Sequence, residues 1–321
     1  PHDFESCAYT ISPLRQNIYN TPAMLKKQKV IVLVGPTSSG KSALAVLLAR
    51  RFNGEVISAD SRQVYRGLNI GTGKITKREM KSVRHHLLDV VSPKHTFTAH
   101  NFVVQGQRAI ETIAMRGKLP IIVGGTGFYV DALVGRVVLP NVPINQKLRA
   151  LLEKKTAAAL YAMLKKRDPR RAKTIDPQNK HRLIRALEIA SAIGFVPKST
   201  ESSLYNVLWV GLALPKKQLE QKIASRLSAH MRQGMVAEAK YLHEKGLSYR
   251  RMEAMGLEYR SLARLLQKKI LRQEFEKELL RDIRHYAKRQ MTYWKRNKEI
   301  QWSTPNAKQT VLQAIRRWLS A

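Results

Sequence analysis

From Lys29 onward the apolar positions alternate between two textures. VIVLV (30–34) is an unbroken β-branched run, the pattern of a strand buried on both faces, and the glycine-rich loop behind it leads into SALAVLLARRF (42–52) with helical spacing. EVISA (55–59) predicts a second strand, HLLDVV (86–91) a third and LPIIV (119–123) a fourth. Between the last two lies TAHNFVVQGQRAIETIAMRGK, a helical stretch with Thr98 as N-cap and Gly117 as stop. Strands separated by helical crossovers predict an α/β fold whose mainly parallel sheet is covered on both faces.

After Gly135 the texture changes. VLPNVP, with Pro140 and Pro143, marks a boundary, and 144–193 reads as helices without strands. VLWVGLAL (207–214) restores a core strand, and Pro215 suits the first turn of the next helix. The pattern divides the chain into a core of 24–139 and 206–321, helical toward its C-terminus, and a helical insertion of 140–205. Residues 1–23 carry no apolar period and begin at Pro1, whereas Met24 stands six residues before the first strand. The expectation is a dispensable leader, disordered or non-native.

Charge adds a partner to this picture. Across 321 residues, 58 Lys and Arg face 23 Asp and Glu, a formal +35. An excess of that size points to a polyanion, nucleic acid first and an anionic membrane surface second. The insertion is a basic segment, with fourteen Lys/Arg against five Asp/Glu between Pro140 and Tyr205. Cys7 is the one cysteine, so neither an intrachain disulfide nor a cysteine zinc site can form, which suits the reducing cytoplasm. Apolar runs such as 30–34 and 119–123 fall far short of the ~20 residues a membrane span requires, and no secretory signal opens the sequence.

The chemistry begins at Gly35-Pro36-Thr37-Ser38-Ser39-Gly40-Lys41-Ser42, a GxxxxGK[ST] loop placed between a strand and a helix. Glycine lets successive backbone N–H groups face a phosphate, Lys41 adds a point charge, the helix N-terminus adds its dipole, and Ser42 offers a hydroxyl to Mg²⁺. The ligand is left open between a nucleoside triphosphate and any diphosphate. The second strand ends at Asp60, followed by Ser61-Arg62-Gln63, and the fourth ends in Gly124-Gly125-Thr126-Gly127-Phe128-Tyr129. The carboxyl ends of strands are where open α/β sheets bind ligands. By itself Asp60 reads equally as a helix N-cap or as a partner of a Mg²⁺ shell. Three glycines around one hydroxyl favour close ligand approach over a plain turn.

In order and spacing, GPTSSGKS, ISADSRQVYRGLNIGTGK, HHLLDVVSP and VGGTGFYVDAL resemble the tRNA dimethylallyltransferase (isopentenyl-tRNA transferase) family. The likeness continues through HRLIRALEI (181–189), IASRLSAHMRQGMVAEAKYL (223–242), MEAMGLEY (252–259) and AKRQMTYW (287–294), and covers nearly everything from Val30 to Trp302. It implies a P-loop NTPase-like fold that transfers a dimethylallyl group from dimethylallyl diphosphate to the exocyclic amine of adenosine 37, beside the anticodon, in tRNAs. It further implies Mg²⁺ and a P-loop (Gly35 to Ser42) that holds the diphosphate together with Arg226. Asp60 matches the general base, Thr126 the hydroxyl that holds the target amine, and Arg149 an arginine near the reaction channel. Contacts to the tRNA anticodon stem-loop are implied for Asp60, Ser61, Arg62 and Gln63, for His181, Arg182, Leu183, Ile184 and Arg185, and for Met252, Gly256 and Tyr259. Gly73 replaces a usual Ala and Ile75 stands where Pro is common, both beside Lys74. No zinc finger occurs in this chain, which the resemblance reads as the bacterial type, a monomer in the cytoplasm.

Arg284, Lys288, Arg289, Lys295 and Arg296 add RNA-backbone contacts or form a solvated helix face. His85 and His86 are read as structural or substrate-loop residues, since no third metal ligand has suitable spacing. Trp294 and Trp302 are read as core. Three competing functions stay open: a P-loop nucleotide kinase, an adenylate isopentenyltransferase and a non-catalytic RNA-binding protein.

Overall fold

A computed structural model describes residues 27–197 and 203–321 of the chain, so the expected leader at 1–23 lies outside the described residues. Among them, six strands form one parallel sheet: β1 (Lys29–Val34), β2 (Gly54–Ser58), β3 (His85–His86), β4 (Leu119–Val123), β5 (Asn206–Leu212) and β6 (Gln301–Ser303), in the order β3-β2-β4-β1-β5-β6. In β1 the side chains alternate between the faces. Val30, Val32 and Val34 join one core while Ile31 and Leu33 join the other, which is why the strand is apolar without interruption.

The helices are α1 (Lys41–Arg51), α2 (Lys77–Met80), α3 (Ala99–Met115), α4 (Gly127–Leu133), α5 (Gln146–Glu153), α6 (Ala157–Arg167), α7 (Pro169–Ala172), α8 (Lys180–Ile193), α9 (Lys216–Arg232), α10 (Met235–Glu244), α11 (Tyr249–Met255), α12 (Leu257–Leu266), α13 (Arg272–Trp294) and α14 (Lys308–Ser320). Helices α1 and α14 cover one face of the sheet, while α3, α4 and α9 to α13 cover the other. Thr98 caps α3 as expected, in a reciprocal pair with Asn101, and Gly117 follows its end in the left-handed region at φ 67°. Pro215 stands one position earlier than expected, as the N-cap of α9. Helices α5 to α8 bury Leu152, Leu160, Leu164, Leu183 and Leu187 in a cluster of their own. None of the described helices is long and apolar enough to cross a membrane.

One strand expectation needs correction, and one strand was not expected. Of HLLDVV only His86 lies in a strand, because Leu87 and Asp89 turn into the left-handed region at φ 63° and 55°, and Val91 makes an isolated parallel bridge to Tyr65. The segment then folds back on the second loop: Val90 and Val91 N–H donate to the Val64 carbonyl, and Lys74 Nζ meets Asp89 Oδ1 at 2.5 Å. The edge strand β6 had no sequence signal, since three residues after a long helix carry no period. Its Trp302 is 39% exposed, against the core expectation, whereas Trp294 is 1% exposed and packs with Trp209.

His86 is structural. Its Nε2 lies 2.7 Å from Oε2 of the buried Glu55, whose carboxylate Arg116 and Lys118 also bond from the surface side. Burial alone would raise the Glu55 carboxyl, but bonds from His86, Lys118 and Arg116 outweigh it and hold the group at about 2. No group of three metal-ligating side chains occurs among the described residues.

Candidate active site

The carboxyl ends of β1, β2 and β4 open into one cavity of about 1400 Å³. Thr37 to Ser42 line it from β1, Asp60 and Gln63 from β2, and Gly124 and Gly125 from β4. Gly35 and Pro36 shape the loop from beneath. A Cβ on Gly35 would stand 2.3 Å from the Leu212 carbonyl, so only glycine lets the P-loop leave β1 against β5.

Lys41 opens α1 and donates from Nζ to the Pro36 carbonyl at 2.5 Å. Burial first and the Arg226 charge second lower its ammonium to about 7, with Asp60 opposing both. A P-loop cation, a second cation and a carboxylate thus share one electrostatic environment. Arg226 reaches the cavity from α9. Its Nη2 donates to the Gly73 carbonyl at 2.8 Å, and its Nε to His230 Nε2 at 3.4 Å. Burial and the Arg226 charge push His230 down to about 4, so the ring is neutral and can accept that bond. The departure at Gly73 now has a reason. The residue is left-handed at φ 56°, and a Cβ there would lie 1.9 Å from Arg226 Nη2.

Asp60 Oδ1 accepts from the Arg62 and Gln63 amides at 2.8 and 3.3 Å, so it caps a turn and not a helix, and the residue lines the cavity. The Ser61 amide between them donates to Thr126 Oγ1 at 3.1 Å, which brings Thr126 beside Asp60 although they are far apart in sequence. Parallel pairing of β2 with β4 dictates this, through Ser58 opposite Val123. The other expected residues divide. Gln63 spends its amide on the Thr72 and Gly73 carbonyls at 3.3 and 3.4 Å. Gly256 lies near Arg62: a Cβ on it would be 3.9 Å from Arg62 Nη2.

Arg149 is not brought to this cavity. It forms a fork with Glu188, Nε to Oε1 at 2.7 Å and Nη2 to Oε2 at 2.8 Å, and Arg185 bonds the same carboxylate and the Val142 carbonyl. Both arginines brace the helices around α8. Leu183, Ile184, Met252 and Tyr259 are buried, so their side chains pack rather than face RNA; the hydrophobic period of the two motifs explains this. His181 and Arg182 are exposed at the start of α8, and so are Arg284, Lys288, Arg289, Lys295 and Arg296 along α13 and just past it.

Sequence reading missed several polar residues that shape the cavity. Glu238 on α10 accepts from the Asn69, Ile70 and Gly71 amides at 2.9, 2.7 and 3.0 Å. Tyr286 and Gln290 reach in from α13. Glu258, in the first turn of α12, is pushed up to about 7 by burial and by the Asp60 charge, against Arg226 and Arg62. Only spacing could have hinted at them, as with His230, four residues after Arg226 on one helix face.

The donor set fits a hard cation carried with a diphosphate. The Ser42 hydroxyl and the Asp60 carboxylate line the same cavity, and oxygen donors of this kind suit Mg²⁺, which keeps waters and substrate phosphates as ligands.

The comparisons agree with this geometry. The family model described as IPP transferase matches residues 63–297. A tRNA dimethylallyltransferase of Anoxybacillus flavithermus is 38% identical over 281 residues, 86% of this chain and 90% of that protein. One from Leuconostoc citreum is 40% identical over 266 residues, 83% and 90%. The solved tRNA isopentenylpyrophosphate transferase from Bacillus halodurans is 35% identical, covers 92% of this chain and 96% of its own, and superposes with a TM-score of 0.69. A eukaryotic dimethylallyltransferase solved acting on tRNA is 28% identical, covering 91% and 80%, with a TM-score of 0.81. With more than half its length matched by the family model and relatives near 40% identity over more than four-fifths of it, the chain belongs to the IPP transferase family.

Proposed function

We propose that this chain transfers a dimethylallyl group from dimethylallyl diphosphate to the exocyclic amine of adenosine 37 in tRNAs and releases diphosphate. One observation carries the reading: Lys41 and Arg226 share a cavity with Asp60, and Thr126 stands behind Asp60 on the Ser61 amide. Two cations suit the diphosphate of the donor. The carboxylate and hydroxyl suit an amine that must lose a proton.

An adenine amine is a weak nucleophile because its lone pair is delocalised into the ring. As its nitrogen bonds to the allylic carbon, the carbon–oxygen bond breaks, the electron pair leaves with diphosphate, and Asp60 accepts the amine proton. A positioned base contributes roughly 10²–10⁴-fold. The Thr126 hydroxyl holds the amine toward Asp60. The P-loop amides, Lys41 and Arg226 meet the charge that grows on the leaving oxygen. Ser42 would hold Mg²⁺ against the diphosphate, where the ion supplies further neutralisation of that charge.

The adenine must leave the anticodon-loop stack, at a cost of a few kcal/mol that contacts to the RNA offset. The exposed His181 and Arg182 of the basic 140–205 insertion and the exposed cations of α13 supply backbone contacts in this reading. It carries the cytoplasm as the compartment and a monomer as the working unit.

Incubation with labelled dimethylallyl diphosphate and either tRNA or AMP tests the proposal. Label should pass to tRNA and not to AMP. Transfer to AMP, or ATP turnover without prenyl transfer, overturns it in favour of the adenylate transferase or the kinase.

A further inference from the structure

Helix α13 presents one face to the loop that follows β4. Tyr286, Gln290 and Tyr293 are spaced by four and three residues, the period of a single helical face. Each meets one residue of the stretch Gly125–Gly127. Tyr286 stands close enough to the Thr126 side chain to interact with it. Gln290 Nε2 donates to the Gly125 carbonyl at 3.0 Å. Tyr293 packs where a Cβ on Gly127 would stand, 2.2 Å from its Cδ1, and its hydroxyl donates to Asp131 Oδ2 at 2.5 Å.

Gln290 does one thing more: its Oε1 accepts from the Thr37 amide of the P-loop at 2.8 Å. One buried side chain therefore spans the donor cradle and the acceptor loop. The sheet cannot do this. Strands β1 and β4 pair as far as Leu33 and Val123, and the last backbone bond between them runs from the Gly124 amide to the Leu33 carbonyl. Beyond it, no other hydrogen bond joins 35–42 to 124–127 among the described residues. The bridge has a fixed base, because Ile283, Ala287 and Trp294 anchor α13 in the core.

We propose that Gln290 is a positioning residue that sets the separation between the P-loop, where the donor diphosphate binds, and the Gly125–Thr126 loop, where the acceptor amine is held. This rests on the prenyl-transfer reading above. The chemistry of the side chain is specific. A neutral amide both donates and accepts at this reach, ionised glutamate only accepts, and methionine donates nothing and accepts only weakly. Gly125 is the matching half: a Cβ on it would stand 1.9 Å from Gln290 Nε2. Misplacement of reacting groups by about 1 Å can cost on the order of 10²-fold in rate without loss of binding.

The test is single-turnover transfer at saturating donor and tRNA, with donor KM and the thermal midpoint measured alongside, for wild type, Gln290→Met, Gln290→Ala, Gly125→Ala and the Gly125→Ala/Gln290→Ala double variant. Gln290→Met should transfer about 10–100-fold more slowly with donor KM within about threefold of wild type. Gly125→Ala should also be slow by itself but cost nothing further when added to Gln290→Ala, because the clash is gone. A folded Gln290→Met that transfers at the wild-type rate, or whose whole loss lies in donor KM, overturns the proposal. If the Gln290 variants do not fold, Gly125→Ala decides alone, and a wild-type rate there overturns it equally. Absence of transfer by wild type strikes the functional reading instead.

Discussion

The hydroxyl of Tyr259 donates to Glu238 Oε1 at 2.6 Å, and the same carboxylate gathers the amides of Asn69, Ile70 and Gly71. A tyrosine of the MEAMGLEY motif is thereby joined to the loop whose Gly73 carbonyl holds Arg226. Hydrogen bonds to a charged group are worth about 1.5–3 kcal/mol each, so this carboxylate fixes the shape of the 69–73 loop beside the cavity, where the proposed reaction puts the donor. Glu238→Gln should raise donor KM roughly tenfold while tRNA affinity stays within about twofold. Steady-state kinetics at varied donor checks it, and an unchanged KM would show that the loop holds its shape alone.

In the proposed reaction, Asp60 and Lys41 separate acceptor activation from donor binding. Asp60→Ala should slow single-turnover transfer by about 10²–10⁴-fold and leave donor and tRNA affinities nearly unchanged. Lys41→Ala should weaken donor binding as well as turnover, since its charge meets the diphosphate before and during reaction. If Asp60→Ala loses donor affinity and recovers with excess Mg²⁺, its carboxylate serves the metal; a wild-type rate would place the base elsewhere.

Lys41 also gives donor binding a pH dependence. Its ammonium is lowered to about 7 by burial, then by Arg226. Below that pH the charge is already present and affinity should be flat. Above it, binding must take up a proton, so affinity falls, approaching about tenfold per pH unit. Donor titrations from pH 6 to about 9 should show the bend, and Lys41→Arg, charged throughout, should flatten it. A bend retained in Lys41→Arg assigns it to another group.

RNA affinity should depend steeply on salt and donor affinity much less. Each phosphate neutralised by Lys or Arg releases counterions, so the logarithm of affinity falls linearly with the logarithm of salt. Reversing Arg284 and Lys288 to Glu, both exposed on α13, should reduce that slope. A flat response of tRNA binding between low and moderate salt would mean the +35 charge is not spent on RNA.

The sequence by itself determined the strands at 30–34 and 119–123 and the P-loop between β1 and α1, because apolar runs and glycine–lysine spacing are local properties of the chain. It also located Asp60 and Thr126 at strand ends. Only the tertiary structure decided which groups share the cavity. Parallel pairing of β2 with β4 joined Thr126 to Ser61, and packing of α9 and α13 delivered Arg226, His230 and Gln290. It likewise turned Arg149 inward to Glu188 and buried Leu183 and Met252. Helical period tells which face of a helix is apolar, but not which neighbour that face will meet. That choice is made when the core closes, so residues acting across two elements, such as Gln290 between Thr37 and Gly125, leave no mark in either local pattern.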